Sequence, residues 1–402
     1  MKERKLRILV ATGFLFTWRG SELVTIELIE GLRAAGAQVD VMCLHYDREF
    51  IDTALGVDTV ITNALDTVNP FEYDLIYNHH QMASHLIPAL LKNASNTEHT
   101  PRTAPVLVYN HLSSSEPLEM PGPFLERYLA DYVWANSPFT KLRLHQLAPW
   151  LSIDIFPNPA PAAFERPVAA RKPDQLRRLM VVSNHVPDEV ADCVTALRAR
   201  GVDVTHLGQG GDVRRLSVDD ITAHDAILTI GKSTQYAIQA RVPVFCYDRF
   251  NGPGWLTAQT FDAAAHSHFS GLPVAGMAPY QARDAHTLAD EIQTGFSAAW
   301  DFMQTFTSDN LAPYRLEPYI ATLLDLAAKK SDSKRLTGWS QVFECSERRS
   351  ELALEYEGAR LTAQLYQGRQ VQALNARTKR LEQAATIKAL RLQLKKLKAR
   401  LA

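Results

Sequence analysis

Asp225–Trp255, DAILTIGKSTQYAIQARVPVFCYDRFNGPGW, reads as strand, tight turn, helix, strand and loop. Ala226–Ile230 is a short apolar run, the mark of a strand buried on both faces. Gly231 ends the run. Ser233 and Thr234 are helix-entry residues, since their hydroxyls accept from unpaired N–H groups in a first turn. Thr234–Arg241 reads as a short helix and Val242–Tyr247 as a second buried strand, and the Gly-Pro-Gly of Gly252–Gly254 reads as a loop. A helix that starts at the carboxyl end of a parallel strand aims free N–H groups and a positive dipole end at the crevice. That geometry suits an anion, most often a phosphate. Lys232 would add a mobile positive charge there.

Outward from this stretch, strands alternate with helical patterns. Before it lie apolar runs at Arg178–Ser183 and Val202–Leu207, with a helix over Pro187–Arg200. In the first half, strands are expected at Leu6–Thr12, Val39–Leu44, Thr59–Thr62, Asp74–Asn78, Val106–Tyr109, Tyr132–Ala135 and Ser152–Phe156. The first helix, Glu22–Ala35, has Ser21 as its expected N-cap and ends at Gly36. The alternation predicts an α/β protein with two Rossmann-like parallel-sheet domains facing across a cleft. The expected boundaries are 1–157 for the first domain, a proline-rich linker over 158–176, and 177–310 for the second domain. A return helix over 311–330 and a polar linker over 331–341 follow, then a helical basic tail over 342–402. The cleanest heptad of the tail is Ile387, Leu390, Leu394, Leu397 and Leu401, spaced as in a coiled coil.

The 402 residues carry a net charge of −1, so nothing global attracts nucleic acid. Residues 377–402 hold nine Lys/Arg against one acid, Glu382. Four scattered cysteines without CxxC spacing read as free thiols of a reducing compartment. No apolar run reaches membrane-spanning length. The N-terminus imitates a signal peptide, but Arg7 interrupts it and no small-residue cleavage site follows. The expected location is the cytoplasm, with the tail able to rest on an anionic inner membrane.

With both halves placed, residues 5–330 resemble the GT-B glycosyltransferases, nearest the family-4-like bacterial surface-polysaccharide type. The residues that carry the resemblance are Arg19-Gly20-Ser21-Glu22, Ser183-Asn184-His185, Leu207-Gly208-Gln209-Gly210-Gly211, Gly231–Ala237 and Tyr247–Trp255. Arg19 stands where the family often has a glycine. The resemblance implies a nucleotide-sugar in the C-terminal half and an acceptor, a glycan or lipid-linked glycan, in the N-terminal half. Retaining members usually carry two glutamates eight positions apart. Here Leu228 and Tyr236 stand at those positions, which tilts the expectation toward inversion.

Sugar transfer requires the leaving diphosphate to be neutralised. There is no Asp-x-Asp to hold a metal, so the expectation is metal-independent transfer with no cofactor. Backbone N–H groups, a helix dipole and a cation from Gly231, Lys232, Ser233 and Thr234 would do the work, unless these residues only cap a structural helix. The run lacks the GxxxxGK spacing of a Walker loop. Further donor-side candidates are Asn184, Gly208, Gly210, Asp248, Gly252 and Gly254, each with a plain turn or bend as its other reading. An inverting enzyme needs a general base in the N-terminal half. His111 and Glu22 lead, with His79, His80 and Glu116 behind them. Two rival readings share the fold: a catalytically silent sugar-nucleotide-binding or scaffold protein, and a nucleotide-sugar 2-epimerase. The tail reads as a homotypic coiled coil or as a basic helix on anionic lipid.

Overall fold

The structure is a computed structural model and describes residues 4–94, 104–273, 277–329 and 333–366. The heptads at 387–401 and the basic cluster at 377–402 lie outside the described residues. The N-terminal sheet contains β1 (Arg7–Leu15), β2 (Gln38–Tyr46), β3 (Ile61–Thr62), β4 (Leu75–Asn78), β5 (Val106–His111), β6 (Tyr132–Ala135) and β7 (Ile153–Ile155). All seven run parallel in the order β3-β2-β1-β4-β5-β6-β7. The order reverses between β1 and β4, so their carboxyl ends open a crevice there.

One face of this sheet is covered by α1 (Gly20–Ala34), together with Leu316, Ile320, Leu323 and Leu326 of the returning chain. That segment was expected as one helix. It forms a single 3-10 turn at Ala312–Tyr314 and then α-helix from Glu317 to Ala328. Gly31 of α1 lets Ile320 approach: a Cβ at position 31 would lie 2.9 Å from its side chain. Helix α1 starts at Gly20, with Arg19 as an extended N-cap residue that makes no side-chain cap bond. The expected cap, Ser21, is inside the helix and donates its hydroxyl to Glu22 instead.

The second sheet contains β8 (Arg178–Val182), β9 (Asp203–Leu207), β10 (Ala226–Thr229), β11 (Val244–Asp248) and β12 (Asn251–Trp255), in the order β12-β11-β10-β8-β9. Its switch point lies between β8 and β10. The Gly-Pro-Gly segment expected as a loop is β12, an antiparallel edge strand on β11. Gly and Pro are loop signals in sequence, but an edge position leaves the proline without a missing ladder bond. Gly252 permits the pairing, since a Cβ there would sit 2.2 Å from the Cys246 carbonyl oxygen.

The linker expected over 331–341 is helical from Ser333 to Glu344. Trp339, Val342 and Phe343 bury the apolar side of that helix against the second face of the N-terminal sheet. After a break at Cys345, a further helix runs over 346–366. Leu352 joins the same core. The buried Glu355 carboxylate accepts from the backbone N–H groups of Phe124 and Leu125 at 2.8 Å and from the Ser84 hydroxyl at 2.6 Å. No helix among the described residues is long and apolar enough to cross a membrane.

Candidate functional site

A cleft of ≈ 260 Å³ opens between the two domains, at the carboxyl ends of β1, β8, β9, β10 and β11. From the N-terminal side it is walled by Trp18, Arg19, Gly20 and Leu23. The facing wall includes Ser183, Asn184, His185, Gly208, Arg214, Thr229, Ile230, Lys232, Ser233 and Asp248. The floor is the turn between β10 and α2, Lys232–Gln239. Gly231 is the N-cap of that helix, at φ 60 and ψ −133, a backbone region that only glycine adopts freely. The first turn of α2 therefore faces the cleft with its free N–H groups.

Several expected donor-side residues line this cleft: Asn184, Gly208, Lys232, Ser233 and Asp248. Asn184 bridges locally, with its Oδ1 accepting from Gln209 N at 3.0 Å. Gly208, at φ 128, packs against Ser183, where a Cβ would fall 2.1 Å from a carbonyl oxygen. Burial raises the Asp248 carboxyl above its ordinary value. Thr234 is fully buried below the turn. Gly210, Gly252 and Gly254 lie away from the cleft wall, the last two within β12.

Lys232 lines the cleft with its first-turn backbone, but its ammonium is not mobile. The side chain is buried, and Nζ pairs with Glu27 Oε2 of α1 at 2.7 Å. It also donates to the carbonyl oxygens of Asn158 at 3.2 Å and Pro159 at 2.6 Å, and lies 4.6 Å from the centre of the Tyr236 ring. Burial lowers its pKa, with the Glu27 charge opposing. Tyr236 donates to Glu27 Oε1 at 2.5 Å. Arg215 forms a bidentate pair with Glu30 at 2.7 and 2.8 Å beside it. So the tyrosine at one expected glutamate position, and the lysine expected in the phosphate site, both serve a buried joint between the domains. Leu228, at the other position, is in the core.

The base candidates lie in the N-terminal interior. His111 is buried. Its Nδ1 meets the Glu119 carbonyl oxygen at 2.6 Å and its Nε2 meets Glu126 Oε1 at 2.9 Å. The Glu119 carbonyl only accepts, so Nδ1 donates, and the Glu126 carboxylate favours a second proton on Nε2. Burial opposes that charge, but the Glu126 and Glu119 carboxylates prevail and the pKa is raised. Glu22 is buried inside α1 and pushed up to about 7 by burial. Glu116 accepts from the Tyr366 hydroxyl of the helix over 346–366.

His79, His80 and Glu119 bring three ligand-type atoms within 4.8 Å of one another. Their protonation does not suit a metal. Gly13 N–H donates to His80 Nδ1 at 3.1 Å, so Nε2 carries the proton and points it at Glu119 Oε1, 3.1 Å away. Burial lowers His80 to about 4 and raises Glu119 to about 7, and the two carboxylate oxygens of Glu119 accept from His80 Nε2 and from Leu112 N. Thr25 gives its hydroxyl proton to Ser21 O and receives one from His79 Nε2 at 2.9 Å.

Sequence reasoning missed Trp18, Thr229 and Arg214 as cleft residues, and missed the role of Glu27. Arg214 and Glu27 carried no motif, and Glu27 is defined only by its partners in the facing domain, Lys232 and Tyr236.

No protein-family model and no curated protein matches the chain. Among solved structures it is similar to the apo form of the lipopolysaccharide outer core galactosyltransferase WaaB, at 11% identity over 81% of this chain and 100% of that one, with a TM-score of 0.50. It is also similar to HepE of Anabaena in complex with UDP and glucose, at 13% identity, 81% and 98% coverage and TM-score 0.49. A putative UDP-N-acetylglucosamine 2-epimerase from Listeria monocytogenes follows at 14%, 80% and 95%, and 0.49. At 11% identity the likeness to WaaB is one of fold, and together with the two sheets and the cleft between them it gives the chain the two-domain GT-B architecture.

Proposed function

We propose that the chain is a glycosyltransferase that takes a sugar from a nucleotide-diphosphate donor to a glycan or lipid-linked glycan acceptor in surface-polysaccharide synthesis. One observation carries this reading. The first turn of α2 opens into a cleft at a topological switch point and is walled by both domains. WaaB, which shares the fold, is named as a galactosyltransferase. Donor binding rests on backbone N–H groups and a helix end, which need no metal. The acids expected of retaining relatives are replaced by Leu228 in the core and by Tyr236 bonded to Glu27, which favours inversion.

A donor panel of UDP-, GDP- and dTDP-sugars with a lipid-linked glycan tests the reading: release of nucleoside diphosphate that depends on acceptor is the expected result. Donor hydrolysis or binding without transfer would support a second reading, a silent sugar-nucleotide-binding protein. That reading draws on Asp248 being the one carboxylate along the cleft wall among the described residues. Conversion of the donor to its C2 epimer without acceptor would point to epimerase chemistry instead. Product anomer by NMR decides stereochemistry, and retention of the donor's configuration would end the inverting assignment.

A further inference from the structure

Four basic residues line the cleft among the described residues: Arg19, His185, Arg214 and Lys232. Two of them are not free to meet a phosphate. Lys232 turns from the cleft to Glu27 at 2.7 Å. Arg214 is held by Asp212 at 2.7 Å and by both oxygens of Asp220 at 2.5 and 2.7 Å. His185 is exposed at the cleft mouth, and partial desolvation and then the neighbouring Arg249 lower its pKa, against Asp248.

Arg19 differs. It is exposed, it has no carboxylate within ion-pair distance among the described residues, and its guanidinium rests 5.4 Å from the centre of the Phe16 ring. Its loop is placed against the phosphate-type turn of the other domain. A Cβ on Gly20, the next residue, would lie 3.7 Å from Lys232 Cβ, the first residue of α2.

We propose that Arg19, reaching from the N-terminal domain, is the cation that neutralises a nucleoside diphosphate whose phosphates sit on the first turn of α2; this rests on the nucleotide reading given above. The planar guanidinium matches phosphate oxygens in a bidentate fork. Because the arginine and the helix belong to different domains, the diphosphate ties the two together. The lysine of the turn, which a sequence reading places in this role, is already committed to the joint behind it.

The test is calorimetric titration of the full chain with UDP, GDP and dTDP and with the matching monophosphates, for wild type, Arg19→Ala and Arg19→Lys. Arg19 is exposed, so both variants fold. For the base that binds, Arg19→Ala is expected to weaken the diphosphate by about tenfold or more, the range of a lost charge-assisted bond. The monophosphate should weaken much less, and Arg19→Lys should recover part of the loss. An unchanged ratio of diphosphate to monophosphate affinity in Arg19→Ala overturns the assignment and leaves the nucleotide reading standing. Absence of binding by any of the nucleotides to wild type overturns both.

Discussion

At the scale of single residues, protonation separates structural histidines from chemical ones. Both nitrogens of His111 are engaged in the interior, Nδ1 with the Glu119 carbonyl and Nε2 with Glu126, so the ring holds Glu126 in place. Replacing it with alanine leaves the buried Glu126 carboxylate without its cation, at a cost of about 3–5 kcal/mol. Urea unfolding at neutral pH should show that loss, with nucleotide affinity unchanged in the folded fraction. Glu119 makes a second residue-level prediction. Its folded pKa is about 7, above the ordinary 4.5 of a glutamate. Its contribution to stability is therefore complete below pH 4.5 and is lost as pH rises through 7. Against Glu119→Gln, wild type should lose ground from pH 5 to pH 8 by on the order of 1–3 kcal/mol, read from melting midpoints across that range. An identical pH slope in the two proteins would refute the raised pKa. The sequence shows that His79, His80 and His111 end strands. It does not show which way each ring is bonded, because the partners Glu119, Glu126, Gly13 and Thr25 come from other elements.

At the scale of elements, α1 and α2 are joined through one ion pair. Glu27→Ala and Lys232→Ala should each destabilise the chain by about 3–5 kcal/mol, because each strands a buried charge. The double variant should cost less than the sum of the two, with a coupling of about 0.5–3 kcal/mol in unfolding cycles. Additive losses would mean the pair is not coupled. The helix over 346–366 makes a comparable prediction. Glu355→Ala should lower stability by about 1–3 kcal/mol, since two backbone N–H groups and the Ser84 hydroxyl lose their acceptor. The strand–turn–helix at Asp225–Trp255 was legible because apolar runs and a glycine define it locally. β12 was not, because an edge strand tolerates glycine and proline that elsewhere signal a loop. The helix from Ser333 was not legible either. Its polar opening reads as linker, and only the packing of Trp339, Val342 and Phe343 against a distant sheet stabilises it.

At the scale of the whole molecule, two sheets built on the same principle meet with their carboxyl edges opposed, and the chain crosses between them near Asn158 and again before Leu316. The joint of Glu27, Lys232 and Tyr236 holds this arrangement before any ligand arrives. Glu27→Gln should therefore raise the radius of gyration in small-angle scattering while leaving the far-UV circular dichroism unchanged. An unaltered scattering profile would mean the joint does not set the spacing of the domains. The general architecture was readable from alternation alone, since parallel strands need helical crossovers. The joint was not, since no local pattern says that a lysine at a helix start will face the other half of the chain.

The Lys232 ammonium has a further consequence through its two linker carbonyls. It is enclosed by Glu27, the Asn158 and Pro159 carbonyls and the Tyr236 ring, so parting the domains replaces those partners with solvent. Any parting of this joint would therefore take up water and depend on water activity. Solutes excluded from protein surfaces, such as sucrose, shift it toward the shut form.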